Sequence, residues 1–281
     1  MFSIIVPFYN GSKYIEQTID SILNQTIKSY ELILIDDNSH PDESKFLSRL
    51  VSCKSYGNIT LLINDTNLGL MSSLNRGISI STGTNIVVLG QDDLISPSHL
   101  FSLIRYINKI DSNFAAIFCD ATYLNGAKDT NILVRGNQLN RFTENCVSFS
   151  SLMKWNYIVS VGICINKKVL LKVGGFETKF SNHGEWLTWL KLIKHEKFFL
   201  NRSIFAKYRR HNSNLTSRMI SSGALQKYKY ENYVNNYAFK ISDKKLSIIH
   251  IYISNRVKNF CFLLYRKLFQ FSYSHYRITK C

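Results

Sequence analysis

A chain of 281 residues with 45% apolar side chains and three prolines has material for one large core or two smaller ones, which excludes the disordered class. No run of about 18 apolar residues occurs, which excludes an ordinary transmembrane helix. The six cysteines (Cys53, Cys119, Cys146, Cys164, Cys261, Cys281) lack Cys-x-x-Cys pairing and metal-ligand spacing, as expected of a reduced, cytosolic setting. The net charge of +16 is concentrated in one place: residues 1–200 hold 19 Lys and Arg against 17 Asp and Glu, and residues 201–281 hold 16 against 2. Attraction to phosphate, in nucleic acid or at an anionic membrane, is therefore a property of the tail.

The first element follows Met1 at once. Ser3–Val6 is a buried-type strand stopped by Pro7, and no charged leader precedes it, so no signal peptide is expected. The turn Phe8-Tyr9-Asn10-Gly11 opens a helix whose apolar positions Tyr14, Ile15, Ile19, Ile22 and Leu23 recur at helical spacing. A second strand, Glu31–Ile35, ends in Asp36-Asp37 and the turn Asn38-Ser39-His40-Pro41. A helix over 44–51, a strand over 59–63, a polar loop over 64–69 and a helix over 70–81 closed by Gly83 come next. The fourth strand, 86–89, has no polar alternation, as a central parallel strand requires, and it delivers Asp92-Asp93 to its carboxyl end. Ligands of open α/β sheets bind at that edge, so the pair is a candidate for a divalent cation with its phosphates. Capping a helix that begins at Ser96-Pro97 is the other reading. Strands alternating with helices at this spacing predict a parallel, doubly wound α/β sheet.

The ordered set Val6-Pro7-x-Tyr9-Asn10, Glu16, Ile35-Asp36-Asp37-x-Ser39, Asn67-x-Gly69, Asn75-x-Gly77, Ser81-Thr-Gly83 and a strand-end acidic cluster resembles the family 2 glycosyltransferases of the GT-A fold. The resemblance spans residues 2–215. It implies a Rossmann-like, mostly parallel sheet flanked by helices, and a nucleotide-sugar donor. By this resemblance Pro7 and Tyr9 form the wall for the base, although Tyr9 also reads as a surface turn aromatic. Asp37 takes hydrogen bonds from base or ribose, with Asp36 supporting its loop. Glu16 is the acid on the first helix, or a solvated helix charge. Asn67 and Gly69 pass beside the nucleotide, or form an ordinary turn. Many members read Asp-x-Asp-Asp where this chain has Gly90-Gln91-Asp92-Asp93, so Asp92 and Asp93 are left to bind Mg2+ or Mn2+.

Further on, an apolar strand over 115–120 ends in Asp120, which reads as a cap or as part of an acceptor cleft. Residues 121–150, with Arg135, Gly136, Asn137 and Arg141, read as an irregular loop or lid. Val161–Ile165 and Asn166–Phe176 match the family's strand and helix closing in Gly-Gly-Phe. In Asn182-His-Gly-Glu-Trp-Leu-Thr-Trp189, where members carry Glu-Asp-x-Asp-x-Trp, the match puts Glu185 at the catalytic base and Gly184 beside it. The resemblance implies an inverting transfer, in which one carboxylate takes the acceptor proton. The plainer reading of Glu185 is an acid favoured by the helix dipole. His183 is a cleft candidate, and Trp186 and Trp189 are core or acceptor-wall aromatics. Tyr208-Arg209-Arg210-His211 matches the family's closing segment, which places the charges near the diphosphate and His211 near the metal or leaving group. A solvated basic turn is the alternative.

The match ends near residue 220, which divides the chain into a catalytic domain over 1–220 and a basic, aromatic-rich helical tail over 221–281. Ile249, Ile253, Val257, Phe260, Leu264, Leu268 and Phe271 form a stripe on one helix face, with Arg256 and Lys267 close by. Such a mixture suits an interfacial membrane helix, each basic residue contributing about 1 kcal/mol at an anionic surface. The other reading packs this helix on the catalytic domain or on a second subunit, as a homodimer. The expectation for the whole is a metal-dependent, hexosyltransferase-type enzyme at the cytoplasmic membrane face. Its acceptor would be a saccharide or lipid-linked saccharide, as in bacterial-type polysaccharide synthesis. Two alternatives compete: an inactive scaffold, suggested by Gly90 and Gly184, and a basic nucleic-acid-binding protein. The neutral balance of residues 1–200 and the acids at three strand ends oppose the last, so no nucleic-acid partner is expected.

Overall fold

The computed structural model describes residues 1–54, 58–110, 113–125, 128–135, 145–180, 184–211 and 224–278. Gly136, Asn137, Arg141 and His183 lie outside them. In chain order the elements are β1 (Phe2–Phe8), α1 (Ser12–Leu23), β2 (Tyr30–Asp36), α2 (Pro41–Cys53), β3 (Ile59–Ile63), α3 (Leu70–Ile80), β4 (Asn85–Val88), β5 (Leu94–Ile95), α4 (His99–Lys109), β6 (Phe114–Asn125), β7 (Lys128–Leu133), α5 (Phe149–Lys154), β8 (Ile163–Asn166), α6 (Lys167–Lys172), α7 (Glu185–Leu192), β9 (Lys197–Arg210), α8 (Ala224–Ile241) and α9 (Lys245–Ile278). They fall into two units: Met1–Phe149 with Tyr157–Arg210, and Ser150–Asn156 with His211–Cys281.

The first unit is an α/β fold on a mixed sheet with the strand order β3-β2-β1-β4-β8-β6-β9-β5, with β7 paired to β6. Strands β1 to β4 are parallel, as their unbroken apolar runs predict. Beyond β4 the direction alternates: β8 is antiparallel to both β4 and β6, β9 is parallel to β6, and β5 is antiparallel to β9. Side chains on one face of β1 (Phe2, Ile4, Val6, Phe8) join Ile15, Ile19 and Ile22 of α1 and Leu100 and Leu103 of α4 in one core cluster. On the other face Ile5 and Ile35 pack against α3 at Gly77. Each fully buried side chain of this kind contributes about 1.5–3 kcal/mol.

Helix α1 has no side-chain cap of its own. Its first residue is held instead from α2, where Glu43 accepts from both the Ser12 amide (2.9 Å) and the Ser12 hydroxyl (2.8 Å). Motifs of the resemblance prove to be latches between elements. The Asn75 amide pairs with both backbone groups of Phe176, and the Gly83 amide donates to the Ser3 hydroxyl.

Two expectations change. The strand predicted to end at Asp120 continues to Asn125 and pairs antiparallel with β7, so residues 121–125 and 128–133 are strands where a loop was expected. Among the described residues the tail forms two helices. Asn235 donates to the Tyr252 carbonyl, Phe239 stacks on Tyr252 at 4.5 Å, and Val234, Ala238, Ile248 and Ile251 are buried. The side chains of Leu264, Lys267, Leu268 and Phe271 lie outside the description. Among the described residues no helix is long and apolar enough to cross a membrane.

Candidate active site

Strand register brings the acids to one edge. Phe8 pairs with Asp36, so β1 and β2 end flush, whereas β4 ends at Val88 opposite Ile5. The turn 89–93 therefore runs alongside the last residues of β1, and the Leu89 amide donates to the Ile5 carbonyl at 3.1 Å. Strand β8 starts at the same place, since Ile163 pairs with Val88. The turn 160–162 is thus at this edge too.

Within the acidic turn, the Asp92 and Asp93 carboxylates converge. A Cβ built on Gly90 would lie 2.8 Å from Asp93 Oδ2 and 3.1 Å from Asp92 Oδ1. The two oxygens thus share a cradle that only a glycine at 90 leaves open, and the third acid of the family pattern would have to displace them. Hard carboxylate oxygens meeting at one point suit a divalent cation whose other ligands come from diphosphate and water. Among the described residues no cluster of three or more His, Cys, Asp or Glu forms. Asp93 is buried, and its proton affinity is raised well above the ordinary carboxylate range, first by burial and then by the charge of Asp92. A cation in the cradle would offset both.

Three neighbours fix the turn. The Thr18 hydroxyl of α1 lies 2.8 Å from the Gln91 carbonyl and 3.0 Å from the Asp93 carbonyl. The Gln91 amide clasps the Tyr9 backbone, accepting from its N–H (2.8 Å) and donating to its carbonyl (3.2 Å). Arg209, buried at the end of β9, donates from its backbone to Asp93 Oδ1 (2.9 Å), from Nε to the Asp92 carbonyl (2.8 Å) and from Nη2 to Gln17 (2.7 Å). Its guanidinium also sits 4.6 Å from the centre of the Tyr14 ring. Burial lowers the Arg209 pKa, but a guanidinium keeps its charge. The sequence offered Arg209 as a diphosphate contact or part of a solvated basic turn, and nothing in it marked Gln91.

Around β2 the acids have different tasks. Asp37 accepts from Asn64 Nδ2 (2.7 Å) and the Leu68 amide (2.8 Å) on Oδ1, and from the Gly69 amide (2.9 Å) on Oδ2. Its carboxylate organises the 64–69 loop, with Asn67 closing back on the Asp37 carbonyl at 3.1 Å. Asp36 is fully buried; one oxygen takes the Ser39 amide at 3.0 Å, and among the described residues Oδ2 has no hydrogen-bond partner. Pro7 is half-buried in β1 and Tyr9 is exposed just beyond it. Glu16 sits elsewhere. On a 100° helical step it falls about 160° from Tyr14 and Thr18, and it pairs with Lys54 at the end of α2 (3.6 Å). An exposed helix-to-helix ion pair accounts for it. His211 belongs to the second unit.

Helix α7 brings Glu185 to the turn 160–162 at this edge, where Ser160 hydrogen-bonds its carboxylate. The start of α7 is seated tightly: the Thr188 hydroxyl donates to the Gly184 carbonyl (2.9 Å) and accepts from the Glu177 amide (3.0 Å). Trp189 is core, edge-on to Phe176 and Phe198, and Trp186 is half-buried. Burial pushes the Glu185 pKa above its ordinary value of 4.5, opposed by a hydrogen bond from Ser160. Ser160 lies in the turn that His99 steadies from below. That imidazole is buried, held neutral with its pKa lowered to about 4 by desolvation, and its Nε2 is 2.9 Å from the Gly162 carbonyl. Neither Ser160 nor His99 carried a sequence signal.

Gly184 explains a departure from the family pattern. A Cβ there would stand 1.7 Å from the Glu177 carbonyl oxygen, so no acid has room at this position. Gly184→Ala is expected to cost about 3 kcal/mol through forced displacement of α7. That amounts to a fall in Tm of roughly 6–12 °C for a domain of this size, read by thermal denaturation.

Comparison with known proteins agrees with this architecture. An uncharacterized glycosyltransferase of Rickettsia typhi is 24% identical over 250 residues, covering 89% of this chain and 75% of the relative. Two solved structures share the fold at 16% identity and a TM-score of 0.70. One is S. aureus TarS 1–349 in complex with UDP-GlcNAc, covering 92% of this chain and 72% of that one. The other is the mannosyltransferase PcManGT from Pyrobaculum calidifontis in complex with GDP-Man and Mn2+, covering 93% and 71%. Residues 3–159 match the family model described as glycosyl transferase family 2, and the chain belongs to that family.

Proposed function

We propose that this protein is an inverting glycosyltransferase that moves a sugar from a nucleoside-diphosphate sugar to an acceptor hydroxyl, with Asp92 and Asp93 holding Mg2+ or Mn2+ and Glu185 as the base. The observation that carries the reading is that the Asp92 and Asp93 carboxylates flank the Gly90 cradle while a third carboxylate, Glu185, acts on the charge of Asp93. The donor and metal assignments are supported by the UDP-GlcNAc and GDP-Man–Mn2+ complexes of the two structural neighbours.

In this mechanism the cation would neutralise the diphosphate as it leaves. The chain's own residues do the rest. Arg209 and Thr18 hold the acidic turn, and Gln91 sets the Tyr9 loop against it, where Pro7 and the exposed Tyr9 ring offer a surface for the base. Asp37 shapes the 64–69 loop through backbone amides, placing Asn67 and Gly69 beside the nucleotide, with Asp36 buried in support. Glu185 accepts the acceptor proton at its carboxylate, and the alkoxide-like oxygen attacks the anomeric carbon as the bond to diphosphate breaks. The acceptor is a saccharide or lipid-linked saccharide, in a polysaccharide-building role at the cytoplasmic membrane face.

A thermal-shift screen of nucleotide sugars with and without Mn2+ tests this. One donor at about 100 times its Kd should add about 2.7 kcal/mol, or roughly 5–10 °C in Tm, only when Mn2+ is present. If no donor shifts Tm under either condition, the inactive-scaffold reading replaces this one.

A further inference from the structure

Helix α9 uses one face and leaves another bare. Its inner face is fixed within the second unit: Ile248, Ile251 and Asn259 are buried, Asn255 donates to the Met153 carbonyl at 3.0 Å, and Tyr252 donates to Asn236 at 2.9 Å. On the outer face Leu246, Ile249, Ile253, Val257 and Phe260 are 89%, 42%, 54%, 56% and 52% exposed. Their spacing of three, four, four and three keeps all five within about 80° of one helical line. A helix packed on its own domain through this stripe would have buried it; the packing has instead gone to the other side.

What borders the stripe selects a partner. Helix α9 contains no Asp or Glu along its 34 residues. Lys245 and Arg256 fall on one border by helical angle, and Lys258 lies about 100° beyond Val257 on the other. The Arg256 guanidinium is fixed there by Asn236 (2.9 Å) and stands over the Tyr252 ring at 5.8 Å. An apolar band edged by cations matches a surface that is apolar inside and anionic outside.

We infer that the outer face of α9 is a docking surface for an anionic lipid bilayer, the stripe entering the headgroup boundary while Lys245, Arg256 and Lys258 meet lipid phosphates. This rests on the peripheral membrane placement named above and gives it residues. The stems of the basic side chains lie along the apolar layer and their heads remain in water. A dimer face would tolerate this charge poorly, because a second copy of an acid-free helix brings only more cations.

Flotation of the full-length protein with vesicles decides the matter. Binding is expected to vesicles of phosphatidylcholine mixed with phosphatidylglycerol at low salt, weakly to phosphatidylcholine alone, and to fall as salt rises. Ile253→Glu with Val257→Glu should lower the bound fraction about tenfold or more, and Lys245→Glu with Lys258→Glu should do the same on anionic vesicles only. All four positions are exposed, so circular dichroism and Tm should not change. Equal binding by parent and both variants overturns the proposal. So does sedimentation showing a parent dimer that the Ile253→Glu, Val257→Glu variant splits. No donor is present in the assay, so its failure leaves the glycosyltransfer reading standing.

Discussion

Asp93→Asn is expected to lower sugar transfer by about 10³-fold and to abolish Mn2+-dependent donor binding, while the metal-free protein stays at least as stable as the parent. A bound cation contributes several kcal/mol to stabilising the charge that develops on the leaving diphosphate, and 1.36 kcal/mol is tenfold in rate. The substitution is conservative in shape. Asn keeps an oxygen to accept from the Arg209 amide, so the turn retains its anchor. Its other atom becomes an amide N–H facing Asp92 across the Gly90 cradle, where it donates to a carboxylate that Asp93 repels. The stability sign follows from the raised proton affinity of Asp93. In the fold the ionised form is disfavoured, so it costs stability at neutral pH, and that cost fades as pH falls through the raised pKa. Removing the charge removes the cost. Tm in EDTA at pH 7, followed by Mn2+ titration in the presence of donor, reads both effects. A lower Tm in EDTA would make Asp93 a structural anchor for Arg209 and explain the lost activity without a cation.

How far the sequence carried this picture depends on the range of each interaction. Strands β1, β2 and β4 were legible because burial on both faces leaves an apolar run, and the acids that end β2 and follow β4 were placed by chain direction alone. The reversal at β8 was not, because Ile163-Cys-Ile165 has the same apolar pattern whichever way it points. For Glu16, Thr18, which meets the acidic turn, lies about 160° away around α1, and the pairing with Lys54 depends on how α2 packs, which local spacing does not encode. The bonds Asp37 takes from the amides of residues 68 and 69 were not legible, because they depend on how a loop folds back. Gln91 and Ser160 were invisible for the same reason: their partners, Tyr9 and Glu185, lie 82 and 25 positions away, beyond any local spacing rule. In the tail, periodicity found the stripe, but whether it faces in or out is decided by a second helix the sequence reading did not separate.

Glu185→Gln is expected to cut kcat by about 10³-fold with donor affinity unchanged and Tm raised. A general base contributes only if it can take a proton, and the amide cannot; size and hydrogen bonding to Ser160 are otherwise kept. The rise in Tm has the same origin as for Asp93. Burial lifts the Glu185 pKa above 4.5, so its ionised form is a cost above that pH, which a neutral amide avoids. In the parent enzyme this also fixes the pH profile: kcat falls on the acid side as Glu185 gains its proton, through a midpoint above the ordinary glutamate value. Ser160→Ala should move that midpoint further up, because the hydrogen bond it removes favours the carboxylate, and should leave the plateau rate at higher pH nearly unchanged. A merely structural Ser160 would lower the plateau and leave the midpoint alone. Product stereochemistry supplies the independent check, since single displacement with Glu185 as base inverts the anomeric centre, which NMR of the first-formed product reads. Retention of configuration, or a Glu185→Gln enzyme that keeps full kcat, would remove Glu185 from the chemistry and leave it as a helix-terminal acid whose burial still has to be explained.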